Sequence, residues 1–314
     1  MTKMTKDTIG IDISKDHLDA HRLSTGQHMR FTNSTTGFRA LACWIAKGLP
    51  DLVVFEPTGP YHARFERRFA GHLPLVKVNP LQARRFAQAQ GTRAKTDAVD
   101  AQMLARMGAA LELEPDRPTS QQQREINELQ AVRRALVRDR TRLMNRLKTQ
   151  TLTLTRAQTR ARIAQAERQL KALDAEIDTR LRRCPQRARS LDILASIPGI
   201  SAITARAILA DCPEIGSLRA KQAAALAGLA PMSRSSGKWQ GKERIQGGRK
   251  PLRDALYMPA IVAMRHNPDL ARKYRQMTDA GKPHKLAITA LMRKLIILAN
   301  TLIKQNRPWT PKPA

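Results

Sequence analysis

Hydrophobic and polar positions change their period several times along this 314-residue chain. Between residues 8 and 13 they alternate. Ile9, Ile11 and Ile13 fall on one face and Thr8, Gly10 and Asp12 on the other, the period-two pattern of a half-buried strand. Leu18–Leu23 and His28–Thr32 predict two more short strands, joined by the hairpin-type loop Ser-Thr-Gly-Gln (24–27). Phe38–Ala46 has helical spacing, and Leu52–Phe55 is a short apolar run of the buried-strand kind. A helix over Tyr61–Ala70 and a strand over Leu73–Val78, closed by Asn79 and Pro80, follow. From Ser120 to Leu181 there is no Gly or Pro. Ile126, Leu129, Val132, Leu136, Leu143 and Leu147, then Leu170, Leu173, Ile177 and Leu181, recur at threes, fours and sevens. The β-branched run Thr-Leu-Thr-Leu-Thr (151–155) is the expected bend between two helical arms. Beyond residue 190 the pattern stays mostly helical, broken by a polar, Gly-rich stretch over Ser233–Lys250.

Three early strands able to form a meander, then helix, strand, helix, strand and helix, is the element order of a ribonuclease-H-like domain. The expected architecture is α/β plus α. A ribonuclease-H-like domain is expected over 1–115, a basic helical hairpin or coiled-coil linker over 116–190, and a mostly helical C-terminal domain over 191–314.

Charge narrows the partners. The chain carries 56 Lys and Arg against 26 Asp and Glu, a net +30 spread along its length, so a polyanion such as DNA or RNA is the expected partner. Residues 121–190 hold 18 Lys and Arg against 7 Asp and Glu. That excess favours a nucleic-acid face, and the apolar seam favours a homo-oligomer, a dimer or a dimer of dimers. Cys43, Cys184 and Cys212 are odd in number and widely spaced, which suits a reducing cytoplasm and neither a disulfide framework nor a zinc knuckle. No uninterrupted apolar run approaches the roughly 18 residues of a membrane span, so a soluble cytoplasmic protein is expected.

Against that background four acids stand out. Asp12 sits in the first strand opposite three isoleucines, where an unpaired carboxylate is costly. Glu56 follows a second strand, just before a Pro-Thr-Gly turn. Asp97 and Asp100 are one helical turn apart, with Thr96 as the expected N-cap. Together they make a hard-oxygen site for Mg²⁺ or Mn²⁺. Two such ions about 4 Å apart can clamp the attacking and leaving oxygens of a phosphodiester. An actin-like sugar kinase also opens with a strand Asp, but it needs Asp-Xaa-Gly, and Ser14 stands two residues after Asp12. In the C-terminal part, Pro198–Gly199 opens a helix as in a helix-hairpin-helix module, whose turn amides can hold a backbone phosphate at Gly199. A plain helical turn reads equally well there.

The runs Gly-Ile-Asp-Ile-Ser-Lys (10–15), Glu-Pro-Thr-Gly (56–59), Val-Asn-Pro (78–80) and Lys-Thr-Asp-Ala-Val-Asp-Ala (95–101) resemble the DEDD transposases of bacterial insertion sequences. This is insertion-sequence family 110, which includes the pilin-gene invertases. The resemblance continues through Ser-Ile-Pro-Gly-Ile (196–200), Leu-Ala-Gly-Leu-Ala-Pro (226–231), Ser-Ser-Gly-Lys (235–238) and Leu-Arg-Asp-Ala-Leu-Tyr-Met-Pro-Ala (252–260). It implies a RuvC-like N-terminal domain, a coiled-coil linker and a C-terminal transposase domain. It also implies a recombinase that acts on donor and target double-stranded DNA and is guided by a structured bridge RNA. By resemblance Asp12, Glu56, Asp97 and Asp100 are the metal-binding tetrad and Ser236 is the nucleophile, with Ser235 adjacent. Lys238, Lys242, Arg244, Arg249 and Lys250 match the basic residues that follow it. A serine attacking a DNA phosphate conserves bond energy as a phosphoserine ester, so strands can be rejoined without ATP. Ser236 is expected to complete a composite site with the acids, across subunits. Two other readings stay open: a junction-resolving nuclease that uses water, and a non-enzymatic nucleic-acid binder.

Overall fold

In a computed structural model, which describes residues 7–57, 59–91, 97–233, 235–236, 239–241 and 243–311, β1 (Thr8–Ile13) is the middle of a five-stranded sheet. β2 (His17–Arg22) and β3 (His28–Thr32) extend it antiparallel on one side. β4 (Leu52–Phe55) and β5 (Leu75–Lys77) extend it parallel on the other, giving the order β3-β2-β1-β4-β5. The parallel pairs require crossovers. α1 (Thr35–Ala46) links β3 to β4, and α2 (His62–Phe69) links β4 to β5. α3 (Pro80–Ala89) and α4 (Asp97–Ala110) follow. The strand expected over 73–78 is shorter, because Pro74 has no N–H to donate to a ladder.

The alternation in β1 sorts the two faces. Ile9, Ile11 and Ile13 pack with Leu18, Phe31, Phe55 and the apolar sides of α1 and α2. The opposite face takes α4: Leu52, Val54 and Val76 pack with Met103, Leu104 and Met107. Two glycines let α4 come close. A Cβ on Gly10 would lie 2.0 Å from the Ala101 carbonyl oxygen, and one on Gly108 would lie 2.5 Å from Val54 Cγ2.

Residues 1–119 form one compact unit and residues 120–314 a second. In the second, α5 (Gln121–Thr149) and α6 (Thr153–Arg182) are the two expected arms, broken at residues 150–152. Ile126, Ile177 and Leu181 root them in the core of their unit, whereas Met144, Leu152 and Leu154 near the break are exposed. The arms are cross-linked by Arg133 to Asp174 at 2.8 Å and by Arg180 to Glu125. α7 (Pro185–Ala195), α8 (Ala202–Asp211), α9 (Ala220–Leu226), α10 (Lys250–His266), α11 (Pro268–Asp279) and α12 (His284–Lys304) complete the helical part. By length and composition α12 could cross a membrane, although Arg293 and Lys294 interrupt its apolar run. Its apolar face, Ile288, Leu291, Leu295, Ile296 and Leu302, is at most 1% exposed inside the helical core.

Candidate active site

Asp12 and Glu56 leave the same edge of the sheet. β1 and β4 are parallel and Ile11 pairs with Phe55, so the next residues of each strand, Asp12 and Glu56, are neighbours. Asp97 and Asp100 form the first turn of α4, which Gly10 holds against β1. The other three acids of the set are felt at the Asp12 carboxyl. Asp12 is pushed up from 3.8 to about 6, first by burial, then by the charges of Asp100, Asp97, Asp19 and Glu56. Three separated sequence segments therefore meet around this carboxyl. Thr58 and Thr96 lie outside the described residues.

Among the described residues no three His, Cys, Asp or Glu side chains are drawn close enough to ligate one ion together. The donor set nevertheless suits a hard divalent cation. It is all carboxylate oxygen, and it crowds negative charge around a half-buried acid, which a bound cation would relieve.

Sequence reasoning missed part of this centre. Asp12 pairs with Asp19 across β1–β2, and Asp19 pairs with Arg30 across β2–β3, forming one cross-strand row. Asp19 is 1% exposed. It accepts from Arg30 Nε at 3.0 Å and from Arg30 Nη2 at 3.0 Å, and His28 Nε2 lies 3.3 Å away. Arg30 Nη2 also donates to Asp97 Oδ2 at 3.0 Å. A buried acid thus aims an arginine at the first residue of α4. The signal was present in the sequence: Asp19 and Arg30 share the parity of Asp12 once the hairpin register is worked out. Arg30 is a resident cation in an acidic centre, so removing it should favour a divalent ion in its place. Arg30→Gln is expected to lower the melting temperature of the ion-free protein and to tighten Mn²⁺ binding several-fold. Calorimetric titration with Mn²⁺ checks this, and unchanged or weaker binding would refute it.

The second unit holds the serine. β7 (Ser235–Ser236) pairs antiparallel with β8 (Trp239–Gln240), Ser236 opposite Trp239, and Ser236 is exposed. β6 (Pro231–Met232) pairs with β9 (Arg244–Ile245) at the base of this stretch. The polar run expected here is thus a pair of short ladders. Its neck is tight: Arg253 Nη1 donates to the Gly247 carbonyl at 2.8 Å and to the Gly228 carbonyl at 3.4 Å. A Cβ on Gly228 would lie 2.2 Å from the Gly247 carbonyl oxygen.

Of the basic residues assigned to nucleic acid, Lys238 and Lys242 lie outside the described residues. Arg244 is exposed. Lys250 is exposed and pairs with Asp254 one turn on. Arg249 is held by partners within the protein. It grips Glu214 through both nitrogens at 2.8 and 2.7 Å and donates to the Asp211 carbonyl at 2.9 Å, which anchors the chain entering α10. Gly199 (φ +105°) has a packing role: a Cβ there would lie 2.8 Å from both Ala263 Cβ and the Pro259 carbonyl oxygen. Burial above all pushes the Cys212 thiol up to about 12, which leaves it inert as a nucleophile.

A mixed sheet that gathers four acids, in a chain with a net charge of +30, has the charge and the carboxylates that an enzyme working on nucleic acid needs. Comparison with known proteins gives the family. Residues 9–157 match the DEDD transposase model of IS110, and residues 191–275 match the model described as "Transposase IS116/IS110/IS902 family". The chain is 33% identical over 327 residues to the pilin gene-inverting protein of Moraxella bovis, covering 98% of each chain. The pilin gene-inverting protein of Moraxella lacunata matches at the same identity and coverage. The chain is also 30% identical over 158 residues to the uncharacterized 42 kDa protein of insertion element IS900 from Mycobacterium paratuberculosis, covering 48% of this chain and 39% of that one. The chain belongs to the IS116/IS110/IS902 family of transposases, and its activity is DNA recombination of the insertion-sequence type.

Proposed function

We propose that the protein is a site-specific DNA recombinase in which Ser236 is the nucleophile and Asp12, Glu56, Asp97 and Asp100 hold Mg²⁺ or Mn²⁺. The observation that carries the reading is the convergence of Glu56, Asp97 and Asp100 on the Asp12 carboxyl. Similarity along 98% of the chain to two proteins named for inverting a pilin gene supports exchange rather than cutting alone. The strand order β3-β2-β1-β4-β5, with two antiparallel and two parallel pairings, supports a RuvC-like fold for the first unit. A divalent ion bound by the acids would supply charge neutralisation at the phosphate and acidify a coordinated oxygen.

The chain's own residues account for the rest. Ser236 Oγ forms a bond to phosphorus as the bond to a sugar oxygen breaks, and the energy is kept in a phosphoserine ester. Reversal by the sugar hydroxyl of another strand frees the serine and joins the new partners. An exposed serine on a hairpin can reach a phosphate that a buried one could not. The basic arms over 116–190 act as the linker and bind the phosphates of duplex DNA and of a structured guide RNA. The exposed Met144, Leu152 and Leu154 support pairing of two copies through the arms. The protein works in the cytoplasm, on the nucleoid.

Trapping tests the serine. Supercoiled DNA carrying the element's ends is expected to yield a covalent protein–DNA adduct under denaturing conditions. Ser236→Ala should lower its yield by at least about a thousandfold, the range for loss of a nucleophile. Ser235→Ala should retain it. Hydrolytic cleavage that persists in Ser236→Ala would instead make water the nucleophile and the protein a nuclease.

A further inference from the structure

An open cleft of about 450 Å³ lies between the turn after β1 and the start of α2, lined by Lys15, Asp16, Asn33, Ser34, Pro60, Tyr61 and Arg64. That size is within the roughly 300–1,000 Å³ of ordinary ligand pockets. Its walls continue the two segments that carry the first acids. Lys15 follows Asp12 out of β1, and Tyr61 follows Glu56 out of β4. Asn33 ties these walls together. Its Nδ2 donates to the Ser14 carbonyl at 2.9 Å and to the Tyr61 carbonyl at 3.4 Å, and its N–H donates to the Asp16 carbonyl at 2.8 Å. Asn33 is only 9% exposed, so the floor of the cleft is fixed by a buried side chain that bridges both acid-bearing segments.

The lining has the chemistry of a nucleotide site. Lys15 and Arg64 are exposed cations, and Asp16 is the one anion among the described lining residues, so the cleft is net positive. Tyr61 is 38% exposed, a large aromatic left open beside them. Cations spaced around an aromatic face are what single-stranded nucleic acid requires, phosphates on the cations and a base stacked on the ring. A base can stack there only when it is unpaired, and strands must separate from their partners before they are exchanged.

We propose that this cleft holds an unpaired DNA nucleotide next to the reacting phosphate, its base on Tyr61 and its flanking phosphates on Lys15 and Arg64. The proposal rests on the recombinase reading for its substrate, and its test reads binding without chemistry. Full-length protein is bound to a duplex with a single-strand gap carrying 5-iododeoxyuridine, or to the intact duplex, and irradiated. The crosslink is expected at Tyr61 on the gapped DNA alone. In fluorescence anisotropy, Tyr61→Leu should weaken gapped-DNA binding about tenfold while intact duplex binds as before, and Tyr61→Phe should stay within about twofold of wild type. The double variant Lys15→Ala/Arg64→Ala should flatten the salt dependence by a slope of about 2. Crosslinks mapping elsewhere, equal loss on gapped and intact DNA, or tight binding only to RNA of the same sequence would overturn the proposal. If no phosphoserine adduct forms but the Tyr61 crosslink does, the recombinase reading fails and the cleft stands.

Discussion

Replacing Asp12 by asparagine is expected to abolish strand exchange and, without divalent ions, to make the protein more stable. The carboxyl group titrates at 3.8 when unperturbed and at about 6 in the fold, because burial and then Asp100, Asp97, Asp19 and Glu56 oppose its charge. An acid whose folded pKa is raised binds more protons folded than unfolded, so stability falls as pH rises through that interval and is flat above it. At neutral pH the loss is on the order of 1–3 kcal/mol. Asparagine fits the same space without the charge and should remove that slope. Urea denaturation in chelator, across pH 4 to 8 at about one-unit steps, reads this directly. Wild type should lose stability between 3.8 and about 6 while Asp12→Asn stays level. Mn²⁺ should then stabilise wild type and not the variant. Equal pH profiles for the two proteins would mean that the acids do not converge on Asp12. A centre costly to fold empty is what a cation site requires, and it places function against stability at one residue.

Gly10→Ala is expected to disrupt the first unit and the acidic site together. Its Cβ would sit 2.0 Å from the Ala101 carbonyl oxygen and 2.5 Å from the Ala105 nitrogen, both backbone atoms of α4 that cannot rotate away. The helix has to move, at a cost of about 2–4 kcal/mol. α4 carries Asp97 and Asp100, so Mn²⁺ affinity should fall as well. Gly26→Ala is the control. It has open space around its Cβ and only a left-handed backbone (φ +68°), for a cost of about 1 kcal/mol. Thermal melts should rank the Gly10 variant well below the Gly26 variant. Equal melting temperatures with unchanged Mn²⁺ binding would show that the approach of helix and sheet does not set the site.

Much of the local structure was readable because periodicity follows from burial. Ile9, Ile11 and Ile13 had to share a face, and they do. The arms broke at residues 150–152, at the start of the β-branched run 151–155, whose last three residues belong to α6. The sequence also pointed to the acids, because carboxylates are scarce and costly in apolar runs. Asp19 and Arg30 were not readable without the register of β2 on its neighbours, since each alone is an ordinary strand polar residue. The partners of Arg249 were hidden for a related reason. A cation near a Gly-rich loop looks solvent-facing until the fold brings Glu214 to it. Gly199 likewise answers to α10 across the helical core.

By itself the sequence determined the element types and the strongly positive charge and singled out the four acids, because those follow from local pattern and charge count. The tertiary structure decided which strands are neighbours, that α4 lies on Gly10, and that Arg30 reaches Asp97 from a row headed by Asp12. Those are pairings between distant segments, fixed by packing and hydrogen bonding, and they hold four dispersed carboxylates close enough to shift the titration of one.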